Sequence, residues 1–267
     1  MSATAPQDHP KTASRSPLTA VLLAIIAVLV LVIGFLVADR ASLQAQLRQG
    51  QSSAQSSPDG TGASDSAAIT PTTDENVLGL IREQIRRDES DRQAKGDAAA
   101  KVVMVLYSDF SCPVCTYFAQ SIEPELADLV EDGTLRIEWR DLAQITQTSP
   151  LAAQAGIAAA QQGRFWQFHD AVYAAAQPND HPEYTQDLLI SYAREAGVPD
   201  IEAFTATMND QATADKVAAD KEYAYSIGIK GTPFMIIGDS VMSGLTENAV
   251  DTIRATIAEQ ALNPDAA

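Results

Sequence analysis

Cys112 and Cys115 are the only two cysteines in a chain of 267 residues, and they stand three apart in the run Lys101–Cys115, KVVMVLYSDFSCPVC. That spacing puts two sulfurs on one face of a helix, close enough to close a small disulfide. At a helix start the unpaired backbone N–H groups and the positive end of the dipole favour a thiolate. Cysteines so placed titrate at roughly 3.5–7.5 instead of about 8.5. Cys112 is therefore expected to be an exposed, low-pKa nucleophile and Cys115, one turn further in, the shielded thiol that resolves a mixed disulfide. Pro113 suits the first turn, where its missing N–H costs nothing. The elements that must position them are legible too. Val102–Tyr107 is six apolar residues in a row and predicts a strand buried on both faces. Ser108 and Ser111 break the run, and Cys112–Val130 has helical spacing.

Other uses of two cysteines fit less well. A structural disulfide between residues three apart closes almost no loop and stabilises little. A zinc site needs further ligands, and with no third cysteine only carboxylates or His9, His169 and His181 are left. Two inert buried cysteines are the remaining alternative. No metal and no cofactor is expected.

Downstream, Gly228–Gly238 reads GIKGTPFMIIG, a Gly-Thr-Pro turn followed by a short apolar strand, and Gly163–Tyr173 reads GRFWQFHDAVY. With YSDFSCPVC at Tyr107–Cys115, these segments resemble the DsbA-like thiol–disulfide oxidoreductases. Those proteins have a thioredoxin fold carrying an inserted helical domain. The resemblance spans roughly residues 74–262. It implies that Pro233 is a cis proline facing the cysteine pair, and that Thr232 binds an extended substrate segment through its main chain. It also implies a quinone-linked membrane protein as reoxidation partner. The Pro-Val dipeptide departs from the Pro-His pair of the strongest oxidants in that family, so one stabiliser of the thiolate is absent.

Composition frames the reading. The formal charge is −17, and residues 1–73 balance four basic against four acidic side chains, so the whole excess lies in residues 74–267. So acidic a domain is not expected to bind nucleic acid or anionic lipid through its general surface. Residues 1–17 read as a disordered cytoplasmic tail. Leu18–Ala38 is 21 residues without a charge, enough to span about 30 Å, so a single transmembrane helix is expected, in preference to a signal peptide. Residues 39–73 have the Gln, Ser, Gly and Asp composition of a flexible linker. Lys11 and Arg15 before the helix are matched by Arg40 and Arg48 after it, so orientation rests on the cysteines: an oxidising pair belongs outside the cytoplasm.

Residues 74–265 are expected to form the α/β thioredoxin-fold domain. A helix from Asp74 carries Val77, Leu78, Leu80, Ile81 and Ile85. Pro124 should kink the helix after the cysteines, and Gly133 should end it. Leu135–Leu142 alternates Leu135, Ile137 and Trp139 against Arg136, Glu138 and Arg140, the pattern of a half-buried strand. Residues 143–226 read as a helical insertion. Phe234–Ile237, a Gly238-Asp239 turn and Ser240–Met242 form a hairpin, and Thr246 is expected to cap a last helix. His169 lies in a core-like aromatic helix. Asp109 and Glu138 are candidates for a carboxylate that takes the inner thiol's proton, with capping or surface roles as the alternative.

The reading is a membrane-anchored, extracytoplasmic enzyme that introduces disulfides into secreted or surface proteins. The alternatives are a reductase or isomerase of the same compartment, and a thioredoxin-fold metal carrier or binding module.

Overall fold

Alternate residues of the central strand feed two different cores, which is why that strand is apolar at every position. The computed structural model describes residues 70, 71, 74–177 and 179–263. Its strands are β1 (Thr70–Pro71), β2 (Ala94–Lys95), β3 (Val102–Ser108), β4 (Leu135–Asp141), β5 (Phe234–Ile237) and β6 (Ser240–Ser243), in one sheet of order β1-β6-β5-β3-β4-β2. β3 runs parallel to β4, with Val102 opposite Leu135 and Ser108 opposite Asp141, and antiparallel to β5. Val102, Met104 and Leu106 pack into a large core with Ile137, Trp139 and Met235. Val103, Val105 and Tyr107 face the other way, against Ile81, Ala224 and Ile236.

The helices are α1 (Glu75–Gln84), α2 (Pro113–Tyr117), α3 (Ala127–Glu131), α4 (Ser149–Gln161), α5 (Phe165–Ala175), α6 (Gln186–Glu195), α7 (Ile201–Met208), α8 (Gln211–Ser226) and α9 (Ala249–Gln260). Among the described residues, 143–226 holds helices and no strand. This is the insertion, α4 to α8, between the β-α-β half and the hairpin half of a thioredoxin-like fold. α7 carries no strong sequence signal; the Asp200 side chain caps it by accepting from Ala203 N–H at 2.9 Å.

Pro124 acts one turn ahead of itself. It has no N–H to give the Gln120 carbonyl, and the chain relaxes through a π-turn at Phe118–Ile122, where Glu123 N–H reaches Phe118 O, and a 3₁₀ turn at Glu123–Leu126. Gly133, at φ +76°, then ends α3. In the hairpin, Gly238 has φ +55°, and a Cβ there would lie 2.5 Å from Gln260 Oε1, the atom that accepts from Asp239 N–H. Only glycine fits that turn.

Three expectations change. β4 is buried along its whole length. Arg136, Glu138 and Arg140 do point away from the large core, but the segment between α1 and β2 covers them, so the alternation reports two buried faces of unlike chemistry. The last helix begins at Ala249 with Asn248 before it, and Thr246 is not its cap. Thr70–Pro71, in the stretch read as linker, pairs with Val241 and Ser240 at the sheet edge. Leu18–Ala38, read as a membrane span, lies outside the described residues. Among the described residues no helix is long and apolar enough to cross a membrane.

Candidate functional site

The site is built where β3 hands over to α2. The loop between them is held by Asp109, whose Oδ1 accepts from Ser111 N–H at 2.8 Å and whose Oδ2 accepts from Gln144 and Ile145 N–H at 2.7 and 2.8 Å. Both of its oxygens accept backbone N–H groups and tie two loops together, so it acts as a clamp. Phe110 follows, buried and stacked on Trp139 at 5.1 Å. α4 comes close enough to cover it because residue 156 is glycine: a Cβ there would lie 3.2 Å from the Phe110 ring.

Cys112 is the N-cap of α2. Its Sγ accepts from Cys115 N–H at 3.4 Å and, as a thiol, donates to the Thr232 carbonyl at 3.5 Å. Pro113 occupies the first turn. The Thr232–Pro233 peptide is cis, in the loop before β5. Thus Thr232, 120 residues on, meets the Cys112 sulfur together with Cys115. Cys112 is less open than its expected role suggests, at 3% exposure, because the Thr232 loop lies across it; Cys115 is at 1%. Both are free thiols. Beside them Val114 and Tyr117 stand 42% and 56% exposed. They line a cavity of about 650 Å³ with Pro113, Gln120 and Leu245.

The two thiols differ sharply in acidity. The Cys115 side-chain hydrogen bond, against the opposing effect of burial and with help from Thr232 and the Cys115 and Val114 N–H groups, brings Cys112 down to about 6. The Thr232 hydroxyl has no hydrogen-bond partner, so it is free to turn toward a thiolate. Burial, then the hydrogen bond and charge of Cys112, push Cys115 well above the ordinary thiol value, opposed by Ser108 and the Asp109 backbone. A folded value for Cys112 below the ordinary 9.0 means that its ionisation stabilises the reduced fold in full above pH 9, and that this contribution is lost as the pH falls through about 6. The reduced protein is expected to gain one thiolate's absorbance at 240 nm with a midpoint near pH 6. A midpoint above pH 8 would contradict the geometry.

The remaining candidates lie elsewhere. Glu138 accepts from Arg86 and Arg87 N–H and from the Arg136 and Arg140 guanidinium groups, and so serves the sheet. His169 is buried among Phe110, Trp139, Phe165, Trp166 and Tyr173. Its Nδ1 meets Asp170 Oδ1 at 2.9 Å and its Nε2 lies 3.6 Å from Glu123 Oε2. Glu123, His169 and Asp170 are the one metal-type cluster among the described residues. The Lys95 ammonium bonds Glu123 Oε1 and sits 4.1 Å from the Trp166 ring centre, so a cation already holds that place.

Sequence reading missed three groups. Asp141, buried beside the end of β3, is pushed up to about 6 by burial, against hydrogen bonds from Trp139 and Gln93. Ser108 and Tyr173 place their hydroxyls 3.1 Å apart behind Cys115. Ser108 had a signal, a polar residue ending an apolar strand; Tyr173 had none, because its partners are 64 and 65 residues away.

The family model described as Thioredoxin matches residues 89–259, which include both cysteines and the Thr232–Pro233 turn. The chain belongs to the thioredoxin family. It is a DsbA-like thiol–disulfide oxidoreductase. It is 27% identical over 180 residues to the probable disulfide bond formation protein D of Bacillus cereus, covering 62% of this chain and 83% of that one. The crystal structure of oxidised BdbD from Bacillus subtilis has the same fold, with a TM-score of 0.57 at 24% identity over 65% of this chain and 95% of that one. A 163-residue stretch is 31% identical to the Na(+)/H(+) antiporter NhaA 3 of Salinispora tropica, but it makes up 23% of that protein against 60% of this chain. The shared part is one segment of a much larger molecule.

Proposed function

We propose that this DsbA-like protein donates the Cys112–Cys115 disulfide to secreted or surface proteins outside the cytoplasm. The observation that carries the proposal is the split in acidity at one helix N-terminus: a Cys112 thiolate favoured near neutral pH beside a Cys115 held as a thiol. A substrate thiolate attacks Cys112 Sγ; a substrate–Cys112 bond forms, the Cys112–Cys115 bond breaks, and Cys115 leaves and takes up a proton. A second substrate thiolate then attacks the substrate sulfur of the mixed disulfide, and Cys112 leaves as its stabilised thiolate. The substrate is oxidised by two electrons and the cysteine pair reduced by two. A stable Cys112 thiolate lowers the energy of the reduced pair and so makes the disulfide a stronger oxidant.

Thr232 and Pro233 form the substrate rim in this reading. The substrate's extended chain pairs with the Thr232 main chain, and its side chains lie against Val114 and Tyr117, apolar surface that is otherwise left in water. Pro113-Val114 sets the potential. A membrane redox partner, quinone-linked by family analogy, returns the pair to the disulfide. Leu18–Ala38 anchors the chain with its N-terminus in the cytoplasm and the redox domain outside.

Val114, where the strongest oxidants of the family have histidine, favours a second reading as a reductase or isomerase. The reduction potential of the full-length protein, equilibrated against glutathione buffers, separates the two. A value near or above about −150 mV is expected for a disulfide donor; one near or below about −230 mV would make it a reductase.

A further inference from the structure

Cys115 must bear a negative charge whenever the Cys112–Cys115 bond opens or closes, in a place where burial opposes that charge. Asp109 commits both carboxylate oxygens to backbone N–H groups. What does lie behind Cys115 is a pair of hydroxyls. Ser108, the last residue of β3, is buried, and its side chain favours the Cys115 thiolate against the burial that opposes it. Its Oγ is also 3.1 Å from Tyr173 Oη, which in turn donates to the Asp109 carbonyl at 3.1 Å. Tyr173 is fully buried against Phe110 and Trp139, and burial first, then the Cys115 charge, keeps its phenol protonated.

We propose that the Ser108 hydroxyl stabilises the Cys115 thiolate during disulfide opening and closure, and that Tyr173 holds that hydroxyl in place between events. Tyr173 gives its own hydrogen to the Asp109 carbonyl, so toward Ser108 its oxygen is an acceptor. The Ser108 hydrogen therefore has two resting places on one rotor. It points to Tyr173 Oη while Cys115 is a thiol or a disulfide, and swings to Cys115 Sγ when charge develops there. The swing moves a hydrogen bond and transfers no proton. In closure, Cys115 first gives its proton to water. Its thiolate then attacks Cys112 Sγ, the Cys112–Cys115 bond forms, the bond to the bound thiol breaks, and that sulfur leaves as a thiolate. Opening is the reverse, with Cys115 as the leaving sulfur, so one hydroxyl serves both directions. A hydrogen bond to a buried charged group is among the stronger ones, and no second donor side chain is needed.

This inference rests on exchange at Cys112 and Cys115, and one experiment tests the two separately. The reduced full-length protein is mixed with oxidised glutathione at pH 5 and pH 7, quenched with acid, and followed by mass spectrometry. Ser108→Ala should form the Cys112–glutathione adduct at the wild-type rate but close it about tenfold more slowly, so that the adduct builds to a higher level. Ser108→Thr, which keeps the hydroxyl, should close normally. Tyr173→Phe, which removes the competing acceptor, should close no more slowly than wild type. If Ser108→Ala reaches the wild-type adduct level and closure rate at both pH values, or if Ser108→Thr is as slow as Ser108→Ala, the proposal is wrong. If wild type forms no adduct at Cys112, the exchange reading fails instead.

Discussion

Cys112→Ser is expected to abolish disulfide exchange, lowering the rate of reaction with a model dithiol by at least ~10³-fold, equivalent to about 4 kcal/mol of barrier. The helix start, the Cys115 N–H at 3.4 Å and the Thr232 loop all act on the sulfur of residue 112. A serine in that place has no accessible anion and forms no S–S bond. Cys115→Ser should behave differently. Cys112 keeps its backbone donors and still attacks a target disulfide, releasing one target sulfur as a thiolate, but the intramolecular exit is gone, so the mixed disulfide accumulates and can be isolated. Cys115→Ala, which leaves no donor side chain, removes the hydrogen bond that does most to acidify Cys112, so its thiolate midpoint should rise above 6. Non-reducing electrophoresis with a disulfide-containing target protein distinguishes the variants. A trapped adduct in Cys112→Ser, or full exchange in Cys115→Ser, would require a different assignment of the two thiols.

The largest effect on stability is expected from Glu138→Ala. Glu138 is at 0% exposure and accepts from Arg86 N–H at 3.1 Å, Arg87 N–H at 2.8 Å, Arg136 Nε at 3.0 Å and Arg140 Nη2 at 2.8 Å; Arg140 also meets Asp91 Oδ2 at 3.3 Å. Removing the carboxylate takes the ion-pair partner from the buried Arg136 guanidinium and leaves Arg140 only Asp91, which costs roughly 3–5 kcal/mol. For a domain of this size that is a fall in melting temperature of roughly 10 °C or more. Burial by itself would raise the Glu138 pKa, but the Arg86 and Arg87 N–H bonds and the two guanidinium groups outweigh it and hold the carboxyl below its ordinary 4.5. Its contribution is therefore present in full above pH 4.5 and is lost as the pH falls through the lower folded value. The gap between wild type and Glu138→Ala in urea unfolding should be constant from pH 6 to 8 and shrink in acid. A loss under ~1 kcal/mol at pH 7 would mean that the arginines find water instead.

These residues mark where the sequence stops being informative. The Arg-Glu-Arg alternation of β4 reads as a solvated face because polar side chains usually lie in water. Here the stretch from Ile85 to Lys95 folds across that face, with Arg136 reaching the Asp88 and Gly96 carbonyls and Arg140 the Gln84 carbonyl. Nothing within β4 records that cover. The same holds at the active site. Cys112 reads as exposed from its place at a helix start, but the Thr232 loop, 120 residues on, lies over it.

The sequence by itself determined the parts that rest on neighbours in the chain. An apolar run too short for a membrane gives β3; the i, i+3 cysteines after it give the exchanging pair; Pro113 suits the first turn of α2; and glycines at 133 and 238 mark turns that no other residue makes cheaply. Each is set by backbone sterics or by periodicity within a few residues. Only the tertiary structure decided which groups surround each sulfur. Thr232 reaches Cys112 and Tyr173 reaches Ser108 from segments 120 and 65 residues away. Asp109 acts as a clamp because Gln144 and Ile145 come to it. The acidity of a thiol is set by desolvation and by the donors within a few ångströms; here the donors from residues 108–115 are near in sequence, while Thr232 and the burying cover arrive by folding from distant parts.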